Sequence, residues 1–128
     1  MSAMSDYLEL EVLDHVLGTG AYTMPSNVYI GLSTGSFNDD NSGTELSGNN
    51  YSRQTIAFAA ASSGSAATNA TVTFPTASGS WGAVSHWGLY DASSSGNLLV
   101  HGSFASSKTI ASGDVLRVNS GDLTVTAA

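Results

Sequence analysis

The pentapeptide Gly31-Leu32-Ser33-Thr34-Gly35 fits the G-x-S-x-G pattern of a hydrolase nucleophile elbow and follows a stretch that reads as a strand. An elbow also needs a helix directly after the serine and a parallel α/β sheet around it. Residues 36–43 are turn-forming and the rest of the chain reads antiparallel, so the match is assigned to chance in a Ser- and Gly-rich sequence. His15, His86 and His101 are the imidazoles available for metal binding or base catalysis. None stands at His-x-His or His-x-x-x-His spacing, and only adjacent strands would bring His86 to His101, so they are read as structural or surface side chains. Asn38, Asp39, Asp40, Asn41 and Glu45 supply oxygen ligands, but Glu45 comes too early for an EF-hand loop and no helices flank it. Neither a P-loop nor a dinucleotide fingerprint occurs. The expectation is a protein without catalytic residues, cofactor or metal.

Composition narrows the partners. Charged residues make up 10% of the 128 residues, with Ser, Thr, Gly and Ala in their place, and the formal net charge is −7. Arg53, Lys108 and Arg117 are too few and too scattered to displace counterions from a phosphate backbone, which argues against direct nucleic-acid binding. The acidic balance disfavours anionic membranes and suits docking on a basic protein surface. The absence of cysteine removes disulfides and thiolate metal sites. The start lacks a signal-peptide pattern and no run reaches the roughly 18 apolar residues of a membrane span, so synthesis and assembly in the cytoplasm are expected.

The elements that would position any site follow from periodicity. Ser5 as cap, Asp6 and Glu9 in a first turn, and Leu10, Leu13 and Leu17 at spacings of three and four predict an amphipathic helix over about 6–17, stopped by Gly18 and packed on a sheet. After Pro25 the period becomes two, with Val28, Ile30 and Leu32 on one face of a strand. Residues 34–50 read as a loop long enough to be a mobile arm. Further strands are expected near 53–58, 70–74, 84–90, 98–104, 115–118 and 123–126. Two Ser-Gly-Asp triplets, at 112–114 and 120–122, read as hairpin-type turns. The whole predicts one domain over 1–128, mainly β: an antiparallel β-sandwich (jelly-roll or Greek-key like, about 26–126) with one N-terminal amphipathic α-helix.

Aromatic residues concentrate in Trp81 to Tyr90. On a strand Trp87 and Leu89 share one face and His86 and Tyr90 the other. One face fills the core; the other, with Trp81 and the loop residue Phe37, is a candidate interface for a subunit or a carbohydrate. Glu45 and Arg53 are a candidate ion pair between the loop and the next strand, contributing about 0–1 kcal/mol if exposed.

The order of motifs resembles a family of small bacteriophage virion proteins, commonly labelled tail-fibre, minor-tail or structural proteins. The residues that carry the resemblance run from Tyr7-Leu8-Glu9 and Leu13-Asp14-His15-Val16-Leu17-Gly18 through Pro25 with Val28-Tyr29-Ile30-Gly31-Leu32-Ser33-Thr34. They continue with Gly43-Thr44-Glu45-Leu46-Ser47-Gly48, Tyr51-Ser52-Arg53-Gln54, Thr73-Phe74-Pro75 and Trp81-Gly82, then His86-Trp87-Gly88-Leu89-Tyr90-Asp91-Ala92 and Gly96-Asn97-Leu98-Leu99. The likeness implies a component of the virion and no catalytic residue. Within that class the first expectation is a capsid decoration (cement) protein, bound to the major capsid protein or other virion proteins and stabilising the assembled shell by mass action. A homo-oligomer, a trimer by preference, suits such a role. The alternatives are a tail-associated adaptor or fibre component and, from another class, a carbohydrate-binding β-sandwich using Trp81, Trp87 or Tyr90.

Overall fold

The structure, a computed structural model, describes residues 2–127. In chain order the elements are β1 (Ser2–Met4), α1 (Asp6–Val16), β2 (Val28–Ser33), β3 (Gln54–Ile56), β4 (Ser65–Ala67), β5 (Val72–Thr73), β6 (Gly82–Tyr90), β7 (Leu98–Ile110), β8 (Arg117–Val118) and β9 (Thr124–Thr126). Five of them form an antiparallel sheet in the order β1-β7-β6-β2-β3, and β4 with β9 and β5 with β8 form two short antiparallel ribbons. The architecture is mainly antiparallel β and β-sandwich-like, with one N-terminal helix.

Alternation decides what each face of the large sheet covers. Register places Ile30 beside Leu89 and Val100, and Leu32 beside Trp87. This face meets Val72, Phe74, Leu116, Val118 and Leu123 of the ribbon layer in one buried core. Two strands escape the sequence reading, β1 and β4, because Ser2–Met4 and Ser65–Ala67 lack the β-branched and aromatic residues that announce strands. The two Ser-Gly-Asp turns match each other closely. In both, the Asp N–H donates three residues back, to the Ala111 or Asn119 carbonyl, at 3.0 Å. Gly113 and Gly121 supply φ values of 91° and 84°. They join strands that do not pair with each other, so they are corner turns between layers and not hairpins.

The other face of the sheet is nearly bare at its centre, where Gly31 pairs with Gly88. The 34–50 loop fills that trough and is not a free arm. Phe37 is fully buried with Tyr90 and Leu98. Where β3 ends, the edge of β2 is closed by the loop: the Leu46 N–H donates to the Leu32 carbonyl at 2.9 Å and the Leu32 N–H donates to Tyr51 Oη at 2.9 Å. Asn38, Asn41, Asn49 and Asn50 take the left-handed backbone conformation that asparagine tolerates best after glycine, which is how so polar a segment folds tightly.

The helix departs from expectation in its packing. Ser5 caps it, accepting from the Leu8 N–H at 3.2 Å and donating to the Leu98 carbonyl, while its N–H donates to the Leu99 carbonyl at 2.8 Å. This ties the first turn to β7, and Tyr7 and Leu8 pack on the core. The remainder does not lie on the sheet: no residue of α1 is buried, and Leu10, Leu13, Val16 and Leu17 are exposed.

A methyl group on Gly31 would stand 2.7 Å from Glu45 Oε2, whereas one on Gly35 would meet nothing within 4 Å. Gly31→Ala is therefore expected to lower stability by about 1–3 kcal/mol and Gly35→Ala to leave it nearly unchanged, read from paired urea denaturation curves.

Candidate functional site

The side chains with the densest polar contacts lie over the glycine trough. Glu45 enters from the loop, Arg53 directly precedes β3, Tyr51 comes from the turn between them, and Tyr90 ends β6. Arg53 Nη2 lies 2.8 Å from Glu45 Oε1 and Nε donates to Oε2 at 2.9 Å, a two-pronged contact that suits the planar guanidinium. Nη1 donates to the carbonyls of Ala92 and Ser95 at 2.9 and 2.7 Å, so the same side chain holds the β6–β7 turn. The guanidinium carbon sits 3.5 Å from the centre of the Tyr90 ring, within cation–π range. Tyr51 Oη donates to Glu45 Oε2, which completes the shell. The pair is largely enclosed, with 7% of the Arg53 side chain and 21% of Glu45 exposed, so the worth of an exposed pair understates it.

Protonation follows from that enclosure. Burial opposes the Arg53 charge, but hydrogen bonding to Glu45 and its negative charge outweigh this, and the guanidinium is held even more firmly protonated than usual. Burial pushes the Tyr90 hydroxyl up to about 12, with the Glu45 charge adding to the shift and Arg53 opposing it. Tyr51 moves further in the same direction, through burial and its hydrogen bond to Glu45. Neither tyrosine nor Arg53 is poised near neutral pH to exchange a proton.

A family model described as podophage GP4 fiber I protein gp80 matches residues 3–126. The chain belongs to this family. It is thus a phage virion protein of a fibre family, and it works in contact with other virion proteins. No curated protein matches the chain.

Within this fibre-family chain the other sequence candidates fall apart spatially. Ser33 is 1% exposed, donates to the Thr44 carbonyl at 2.6 Å and accepts from the Gly35 N–H at 3.1 Å, so its hydroxyl serves the loop. His15 Nδ1 accepts from the Tyr22 N–H at 3.0 Å, His86 Nδ1 lies 2.7 Å from Ser85 Oγ, and His101 Nε2 lies 2.7 Å from Asp39 Oδ1. The acidic loop does not converge: Glu45 turns in to Arg53, Asp39 reaches His101, and Asp40 accepts from the Ser42 N–H at 3.0 Å, its pKa lowered by hydrogen bonding to the Ser42 side chain first and to that backbone N–H second. Among the described residues no three His, Cys, Asp or Glu side chains gather as for a metal ion. Among them, too, no helix is long and apolar enough to cross a membrane.

The aromatic candidates for an interface are corrected by their positions. Trp81, Trp87, Tyr90 and Phe37 are 5%, 3%, 3% and 0% exposed, because both faces of the sheet are covered. Trp81 packs edge-on against Tyr51 and Phe74, and its Nε1 donates to the Asn49 carbonyl at 2.9 Å. Phe37 meets Tyr90 edge-on at 6.0 Å. None of the four offers a ring face on which a sugar or a neighbour could stack. Sequence reading overlooked Tyr51, whose only signal was a position within eight residues of both Glu45 and Arg53.

Removing one member of the enclosed pair strands the other, so Glu45→Ala is expected to cost about 3 kcal/mol. The double variant Glu45→Leu/Arg53→Met should cost clearly less than the sum of the single changes, measured as a double-mutant cycle by denaturation. The sign of the pH dependence is also determined. Tyr90 ionises near its ordinary value of 10.0 when unfolded and at about 12 when folded, so the unfolded chain loses its proton first. Stability should hold below pH 10 and fall as pH rises from there to 12, and Tyr90→Phe should flatten that decline in thermal melts.

Proposed function

We propose that the chain is a non-catalytic building block of a phage tail fibre, one domain over 1–128 whose role is assembly with other virion proteins. The family match over residues 3–126 carries this reading, since it is described by a fibre protein. It favours the fibre alternative over capsid decoration, for which no structural feature speaks specifically. The side-chain chemistry agrees: the serine, histidines and carboxylates that could have formed a reactive site each hold a piece of backbone or a neighbour. Among the described residues the helix has 11 residues, which suits a compact node or adaptor within a fibre, in place of a coiled-coil shaft. Assembly as a homo-oligomer with closed symmetry, a trimer by preference, belongs to the same reading.

Cryo-electron microscopy of the native particle tests it directly. Density for this fold is expected in the tail-fibre region in a few symmetric copies. Hundreds of copies spread over the capsid shell would overturn the fibre reading in favour of decoration.

A further inference from the structure

Two surfaces of this chain complement one another yet do not meet within one molecule. The first is the outer side of α1. Leu10, Leu13 and Leu17, at spacings of three and four, form a stripe 64%, 55% and 71% exposed, on the side of the helix opposite Leu8. Glu9 and Asp14, both exposed, flank the stripe. The second surface lies where β7 is irregular. Between the Val84–Lys108 and His86–Ser103 pairs β6 advances two residues and β7 five, so β7 carries three extra residues. A bulge of this kind bends the strand and re-aims its side chains. Here it opens a cleft of about 280 Å³ lined by Phe104, Leu116 and Val118, with Lys108 and Arg117 exposed at its rim. Asp122 also lines it, but its carboxylate accepts from the Asn119 N–H at 3.1 Å.

Charge identifies the occupant. The chain has 3 Lys and Arg against 10 Asp and Glu, and Arg53 is committed to Glu45. Both other cations therefore stand at this one cleft. The apolar floor of the cleft, Phe104, Leu116 and Val118, suits leucine side chains. The start of α1 is fastened beside Leu98 and Leu99, near the Tyr90 end of β6, while Lys108 pairs with Val84. Six residues of strand, about 20 Å, separate the two ends, and no α1 residue lines the cleft, so the stripe leaves its own cleft unfilled. Two α1 stripes facing each other would instead bring Glu9 and Asp14 of both copies together, which like-charge repulsion opposes.

We propose that the Leu10–Leu13–Leu17 stripe of one copy docks into the Lys108–Arg117 cleft of a second copy, with Glu9 and Asp14 facing the two cations. The contact is heterologous: every copy offers one helix and one cleft, so it propagates into a closed ring or a filament. It is independent of where in the particle the protein sits.

The test uses the purified full chain, with mass measured by light scattering after size exclusion and folding checked by melting temperature. The wild type is expected to be multimeric. Leu13→Asp, which spoils the helix, and Lys108→Glu/Arg117→Glu, which spoils the cleft, should each be monomeric and melt like the wild type. An equal mixture of the two should form dimers, since one retains a cleft and the other a helix. If Leu13→Asp fails to fold, Glu9→Lys/Asp14→Lys replaces it. That pair combined with Lys108→Glu/Arg117→Glu in one chain should restore assembly by exchanging the charges. A monomeric wild type, variants with wild-type mass, or a mixture that stays monomeric would overturn the proposal and leave the stripe to a different virion protein.

Discussion

Through Tyr51 and Arg53 the Glu45 carboxylate links three segments: the long loop, the edge of β2 and the β6–β7 turn. It can do so because Gly31 and Gly88 leave the middle of the sheet face without side chains. A carboxylate placed there loses water, and that loss is tolerable only if its oxygens are fully engaged. Arg53 and Tyr51 engage them, while Arg53 spends its remaining N–H groups on Ala92 and Ser95. The ion pair is better regarded as a specification than as a large source of stability. It selects one arrangement of the loop, because any other leaves a charge buried without a partner.

With the loop in place, the sheet is covered on both sides and the aromatic residues are consumed in doing so. Trp81, Trp87 and Phe74 serve the ribbon side, and Phe37 and Tyr90 the loop side. What remains outside is mostly polar, small and weakly charged, and four of the exposed large apolar side chains, Leu10, Leu13, Val16 and Leu17, lie on α1 and its cap. For a protein of a virion fibre family this division is consistent: rigidity comes from an interior filled by large rings, and a stripe of leucines is left on the surface of a helix anchored at its start.

Much of the secondary structure was legible because its signals are local. The Ser5 cap, the acidic first turn and the Gly18 stop mark α1, which ends at Val16. The alternation around Val28–Leu32 and Trp87–Leu89 marks β2 and β6. Strand ends were less legible, and β7 runs on to Ile110 through Ser, Ala and Lys residues that do not favour strands, because pairing with β6 and β1 outweighs their propensity. The Glu45–Arg53 pairing could be read from spacing, but its enclosure could not: burial depends on Tyr90 and on the Ala92–Ser95 turn, some forty residues further on.

By itself, then, the sequence determined the class of the chain, an acidic, cysteine-free, antiparallel β protein with one amino-terminal helix, and its ordered motifs determined the virion family. These follow from composition, periodicity and local turn chemistry, which neighbouring residues settle among themselves. Which aromatic residues face inward, which polar groups meet, and which apolar stripe is left uncovered were decided only by the tertiary structure. Amphipathic spacing states that a helix has an apolar side; it does not state that a partner is present. In α1 the Ser5 anchor on β7 directs Tyr7 and Leu8 to the core and leaves Leu10, Leu13 and Leu17 facing outward.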